Sequence, residues 1–258
     1  MKKLFLFIFM LTIKRLNWLP RIEAELMYAR GFGYDPGVES EVQHAIELIG
    51  LSPGSTSDLV VLDVGAYNGD WSAAVLKQLP TCKVHAFEPS PTVKQRLDKR
   101  FDNLSRIKTY ELGFSNEEGI LDLFSNNLDG NMSSLVKRNL DYVEIPFNAQ
   151  IKVHVKTLSN WCDENGVSPD MLKLDVEGFE YQVLQGALKY LSKIRLVQFE
   201  FGGTDIDSRI FFRDFWNLLT TAGFEIYRLT PTGPKKIPTY SEQLEVFEFS
   251  NYYAVNTK

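Results

Sequence analysis

The sequence predicts an α/β protein with a doubly wound, mostly parallel sheet. Three observations carry that prediction. The runs "VVLDVG" at residues 60–65, "VHAFEP" at 84–89 and "MLKLDVEG" at 171–178 are nearly continuous apolar stretches, as expected of strands covered on both faces. Each is followed by a segment with helical spacing of its apolar residues. The chain then closes on two strand-like runs with no helix between them, which predicts an antiparallel closing hairpin.

Taken in order, the elements begin with an apolar run at residues 4–13, flanked by Lys2-Lys3 and Lys14-Arg15. A bilayer span needs about 20 residues, and no small-residue cleavage site follows as in a secretory signal. The expectation is a helix that packs on the body or on a second copy of the chain. Contact with the inner membrane surface ranks second. A helix follows at residues 40–49, with Val42, Ile46 and Ile49 on one face and Gly50 ending it. Next come a strand at 60–64, a helix at 70–79, a strand ending at Phe87, a helix at 91–101 and a strand at 107–112. Residues 113–170 hold only strand-like pieces at 120–124 and 143–155 with an Asn/Ser/Gly-rich link at 125–134, so they predict an inserted β-flap over the sheet's carboxyl edge. Asn127, Asn131, Ser133 and Ser134 of that link offer neutral partners for hydroxyl groups.

A buried strand at 171–176 runs into a helix carried by Phe179, Val183, Leu184, Ala187, Leu188 and Leu191. The strand at 194–201 follows, then a helix at 208–222. Its Phe211, Phe212, Phe215 and Trp216 are read as core before a sugar-stacking face. The closing strands at 224–229 and 245–255 are joined by a Pro/Gly-rich loop at 230–238. The domain division expected is a helical appendage at 1–57 and a body at 58–258 with the flap inserted at about 113–170.

Composition narrows the function. At 258 residues and 44% hydrophobic, the chain can bury a sizeable core. Its net charge is −5 with no basic stretch, which excludes nucleic acid as the expected partner. Cys82 and Cys162 lack metal-ligand spacing and read as reduced and buried, consistent with a cytoplasmic location.

The chemistry concentrates at strand ends. In "DVGAYNGD" a strand passes through Asp63 to the Gly65 turn, and Glu88 ends the next strand 23 residues after Gly65. An acid there can accept hydrogen bonds from two ribose hydroxyls. Counted from Gly65, the third position is Tyr67 and the sixth is Asp70, where a dinucleotide fingerprint wants glycines. An aromatic ring and a carboxylate oppose a pyrophosphate. They tolerate a sugar joined to a zwitterionic amino acid, as in S-adenosylmethionine. Asp175 and Glu177 alternate onto one side at the end of a third strand, where open α/β sheets place their ligands. The plain alternative, that acids favour the next helix's N-terminus, accounts for Glu177 and Glu180 but poorly for Asp175. Glu200 stands near the end of the strand after that.

The segments "VVLDVGAYNGDWS", "VHAFEPSP", "LKLDVEGFEYQVLQGA" and "LVQFEF" together resemble the FkbM family of S-adenosylmethionine-dependent methyltransferases over about residues 58–202. The resemblance implies a Rossmann-like class I methyltransferase fold with a seven-stranded sheet. It implies O-methylation, commonly of a sugar hydroxyl in a bacterial surface glycan or of a hydroxyl in a related metabolite. Carried over, Asp63, Gly65, Ala66, Tyr67 and Asn68 hold the methionine part of the cofactor. Glu88 binds the ribose, Pro89 and Ser90 shape the adenosine pocket, and Gly113 borders the adenine. Asp175 lies nearest the reactive methyl group and is the first choice of base, with Glu177 and Glu200 behind it. His154, flanked by valines in a strand, reads as structural, and Lys173 as the neutraliser of a buried acid. A Mg²⁺ ion on Asp175, Glu177 and Glu200 ranks below the metal-free mechanism. Two other classes remain at this point. A nucleotide-sugar oxidoreductase is opposed by the broken glycine pattern and the lack of a Tyr-x-x-x-Lys pair. A non-catalytic glycan-binding or scaffold protein is opposed by the intact Asp63, Gly65, Glu88 and Asp175.

Overall fold

The computed structural model describes residues 19–126 and 133–257, so the N-terminal apolar run and positions 127–132 lie outside the described residues. Two helices, α1 (Leu19–Ala29) and α2 (Val38–Leu48), precede the first strand. The central sheet takes β1 (Val60–Val64), β2 (Lys83–Phe87), β3 (Ile107–Tyr110), β8 (Met171–Leu174), β9 (Leu196–Phe201), β10 (Phe224–Arg228), β11 (Lys235–Lys236) and β12 (Ser250–Asn256) in the order β11-β10-β12-β9-β8-β1-β2-β3. β9, β8, β1, β2 and β3 run parallel, and β12 lies antiparallel to both its neighbours. The connections α3 (Asp70–Gln78) and α4 (Pro91–Arg100) lead from β1 outward to β3, while β8 pairs on the other side of β1. The strand order therefore reverses at β1, and a crevice forms at its carboxyl end.

The apolar runs form strands because helices cover both faces of the sheet. Leu62, Leu172, Leu174 and Val197 belong to a core on one face, and Val61, Met171 and Leu196 to a core on the other. Val42, Ala45 and Ile46 of α2 join the second core without exposed surface, so this helix is packed into the body. α9 (Phe212–Ala222) buries Phe212 and Phe215, and the Phe215 ring stacks on Phe199 at 4.9 Å. Phe212 and Phe215 are core as expected and Trp216 packs against it half-buried, whereas Phe211, just before the helix, is exposed. Cys82 and Cys162 are buried free thiols, pushed up to about 11 and about 12 by burial. Among the described residues no helix is long and apolar enough to cross a membrane.

The closing hairpin forms as expected at one end of the sheet, β10 antiparallel to β12, with the buried Tyr252, Tyr253 and Ala254 placing β12 on the inside against β9. Two details depart from expectation. The loop at 230–238 contributes β11, an eighth strand of two residues. The insertion forms a second sheet, β4 (Gly113–Phe114), β7 (Ala149–Lys156), β5 (Gly119–Ser125) and β6 (Ser133–Ser134), in the order β4-β7-β5-β6. It is antiparallel except where β4 runs parallel to β7. After it comes a helix that the strand-like reading of 113–170 passes over, α5 (Leu158–Asn165). Thr157 caps it by accepting from the Asn160 N–H at 3.2 Å, and its Leu158, Trp161 and Cys162 join the main core.

Candidate active site

Most of the residues expected to form the site gather where β1, β2 and β8 end, with Glu200 near the end of β9. Gly65 turns the chain out of β1 at φ +79°, and a side chain there would overlap the carbonyl oxygen of Asp175. The glycine is therefore required by the meeting of two backbone turns. Gly65 also lines the cavity. The second turn is held from behind: buried Glu180, opening α6 (Glu180–Gly186), accepts the Val176 N–H at 2.8 Å and the Gly178 N–H at 2.9 Å. Two N–H groups of the Asp175–Gly178 turn thus find one carboxylate, and Glu177 is left at φ +56°.

The cavity is lined by Gly65, Tyr67, Glu88 and Pro89 at the ends of main-sheet strands, by Asp175 and Glu177, and by Gly113, Ser133, Ser134 and Leu135 of the insertion. Glu88 is 6% exposed. Its Oε2 accepts from the Tyr67 N–H at 3.2 Å and its Oε1 from the Ser90 N–H at 2.8 Å. Burial pushes its carboxyl up to about 7, although both N–H donors favour the charged form. A carboxylate fixed by two backbone donors and lacking a contacting cation is suited to accept further hydroxyl donors. Tyr67 sits at φ +48° with its ring 5.9 Å from the Arg96 guanidinium. Ser134 Oγ donates to the Glu177 carbonyl at 2.7 Å, which brings the inserted sheet onto the catalytic turn.

The remaining predicted residues are placed differently. Asp63 lies beneath the floor with no exposed surface, accepting from Ser72 Oγ at 2.6 Å and facing Lys173 Nζ at 3.3 Å. Ala66, Asn68 and Ser90 line neither this cavity nor its neighbour. The Asn68 carbonyl accepts from Arg100, and Ser90 acts through its N–H on Glu88. His154 is exposed on β7, outside both cavities. Glu200 lines the adjoining cavity together with Asp175 and Glu177.

Charge at the bottom of the site is centred on Lys173. Its buried ammonium lies 3.1 Å from Asp175 Oδ2, 3.3 Å from Asp63 Oδ1 and 3.4 Å from the Gly65 carbonyl. Burial opposes that charge, yet Asp175 and Asp63 hold the group above the ordinary lysine value. Glu177 is pushed up to about 7 by burial and by Asp175 beside it. Glu200 is raised by burial and by the charges of Asp175 and Glu177. Among the described residues no three acidic, histidine or cysteine side chains are grouped to hold a metal ion. Sequence reasoning missed Arg138, which reaches Glu177 Oε2 and Asp207 Oδ2 at 3.5 Å each. It stands in an irregular segment with no periodicity to single it out.

A sheet ordered β3-β2-β1-β8-β9-β12-β10, with an antiparallel strand next to last and a ligand cavity at the ends of β1 and β2, defines the class I methyltransferase fold. The model of the methyltransferase FkbM domain matches residues 63–226, more than half of the chain, and the chain belongs to the FkbM family. It is an S-adenosylmethionine-dependent methyltransferase, and the oxidoreductase alternative falls away. The chain is 27% identical to the 2-O-methyltransferase NoeI of Sinorhizobium fredii, over 68% of this chain and 76% of the relative. It is 30% identical to methyltransferase sdnD of Sordaria araneosa, over 65% and 70%. A solved precorrin-6y C5,15-methyltransferase from Geobacter metallireducens superposes over 85% of this chain and 87% of its own, with TM-score 0.46 and 9% identity.

Proposed function

We propose that this chain methylates a hydroxyl group of a sugar, in a glycan or related metabolite, using S-adenosylmethionine. The observation that carries the reading is Glu88. It is a buried carboxylate pinned by two N–H groups, in a cavity whose far wall is Asp175 and Glu177. The donor set fits the cofactor. Glu88 would take the ribose hydroxyls, Gly113 and Pro89 would border the adenine, and the Gly65–Tyr67 turn would hold the amino-acid end.

Bound cofactor supplies a methyl group on a positively charged sulfur that departs with the bonding electron pair. The chain does the rest. It must orient one acceptor hydroxyl and take its proton as the new bond forms, since a sugar hydroxyl is a poor nucleophile. Asp175 is the first choice for that proton, because of the two carboxyl groups that line both the cofactor cavity and the next one it is the one anchored by Lys173, at 3.1 Å. Glu177 and Glu200 follow. We place the reaction in the cytoplasm, on an acceptor made there. The 2-O-methyltransferase name of one relative supports an oxygen acceptor. The test is calorimetry with S-adenosylhomocysteine and with NAD. Micromolar binding of the first, about −8 kcal/mol, and none of the second is expected; tight NAD binding would refute the reading.

A further inference from the structure

Past Asp175 and Glu177 the site opens into a second cavity of about 360 Å³, inside the range of small-ligand pockets, roughly 300–1,000 Å³. Those two residues line both cavities. The other walls are Glu200 near the end of β9, the Gly202-Gly203-Thr204 turn into α8 (Thr204–Ser208), Arg138 from the insertion, and Phe249 just before β12. A cavity that meets the cofactor site only at its carboxylates has the geometry of an acceptor entrance.

We propose that the methyl acceptor occupies this second cavity, and that it is a neutral polyhydroxylated ring without an anionic substituent next to the reacting hydroxyl. The inference rests on the methyl-transfer reading above and adds the side of entry and the charge class of the acceptor. Three carboxyl groups, Asp175, Glu177 and Glu200, line the cavity, and among the described residues Arg138 is the one cation in its lining. Arg138 already lies 3.5 Å from both Glu177 and Asp207. A uronate or phosphate would meet three acids and a cation already facing two carboxyl groups. Hydroxyl groups, by contrast, can donate to a carboxylate and accept from a protonated carboxyl.

Gly203 makes the proposal testable. It has ordinary helical angles, φ −61° and ψ −25°, and a Cβ there would meet only the Phe247 carbonyl oxygen at 3.8 Å. Gly203→Phe should therefore fill the cavity without straining the backbone, and Gly203→Ala is its small control. Methyl transfer from tritiated S-adenosylmethionine is measured on methyl glycosides of neutral hexoses, on methyl glucuronide and on a hexose 6-phosphate. Binding of S-adenosylhomocysteine is followed by calorimetry. The expected result is transfer to a neutral glycoside, a loss of about tenfold or more in kcat/KM for Gly203→Phe, a smaller loss for Gly203→Ala, and unchanged S-adenosylhomocysteine affinity throughout. Should Gly203→Phe fail to bind S-adenosylhomocysteine, Gly203→Leu replaces it, with a loss between those two expected. Transfer unaffected by both fillings overturns the site. Preference for the glucuronide or phosphate, or no transfer to any neutral glycoside, overturns the substrate class. A wild type that does not bind S-adenosylhomocysteine refutes instead the methyl-transfer reading.

Discussion

The backbone of Gly65 lies so close against the carbonyl oxygen of Asp175 that a Cβ at position 65 would overlap it. The Gly65 turn and the Asp175–Gly178 turn are thus one packed unit. Register puts them there: Val64 pairs with Leu174, and the Asp175 N–H donates to the Val64 carbonyl at 3.1 Å. Whatever moves one turn moves the other.

Gly65→Ala should accordingly destabilise the protein by about 2–4 kcal/mol, since it combines a positive φ with a backbone collision. Urea unfolding checks this. A variant within about 0.5 kcal/mol of wild type, the scatter of ordinary surface substitutions, would mean that the turns separate freely.

Glu88 gives a prediction about both substitution and pH. Its carboxylate loses acceptor capacity when protonated, and burial holds it at about 7. Affinity for S-adenosylhomocysteine should fall as pH drops through that value. Glu88→Gln should weaken binding by about 1.5–3 kcal/mol at pH 8 and flatten the pH dependence. An indifferent Glu88→Gln variant would remove it from the cofactor site.

Stability without ligand should fall as pH rises from about 5.5 to about 8. Burial raises Glu88, Glu177 and Asp205 to about 7 and Glu180 to about 8. With folded values above the unfolded ones near 4, the folded state holds more protons in that window. The unfolded chain therefore gains on it as pH rises. Each kcal/mol lost should lower Tm by about 2–4 °C at this size. A flat Tm across the window would show that these carboxyls are ionised and solvated.

The sheet's parallel centre was legible because strands buried on both faces are apolar almost throughout, and Val60–Val64 and Met171–Leu174 are, save for Asp63 and Lys173, which face each other at 3.3 Å. The placement of β12 was not legible, since no local signal says which strands Tyr252 and Tyr253 will separate. α5 left a signal that was available, the cap at Thr157 and the left-handed Gly166 at φ +61°. In the site, acids at strand ends announced Glu88, Asp175 and Glu200. Asp63 looked like a ligand residue but is buried under the floor, because strand alternation alone cannot say how deep a polar side chain sits. Arg138 was invisible because its role depends on a fold-back that brings the insertion to Glu177.

The inserted sheet should tighten when the site is filled. Ser134 bonds the Glu177 carbonyl, and Arg138 spans Glu177 and Asp207. Hydrogen exchange at residues 133–143 should slow on adding S-adenosylhomocysteine, and Arg138→Ala should speed it in the free protein. If exchange there is indifferent to ligand while the Gly65 and Glu88 segments become protected, the insertion takes no part in closure.

The last prediction separates the three carboxylates. Asp175 is held by Lys173 at 3.1 Å and borders both cavities, so Asn at that position keeps the shape but cannot take a proton. Asp175→Asn should leave S-adenosylhomocysteine affinity within a few-fold and cut methyl transfer by about 10² to 10⁴. Glu177→Gln and Glu200→Gln should cost only about tenfold each, as groups that orient the acceptor without taking its proton. EDTA should leave the wild-type rate unchanged; strong inhibition restored by Mg²⁺ would put a cation on the three acids and reverse this ranking. The pH profile supplies the independent readout. With Glu177 at about 7, a rising limb near that pH that survives in Asp175→Asn but vanishes in Glu177→Gln would transfer the role of base to Glu177.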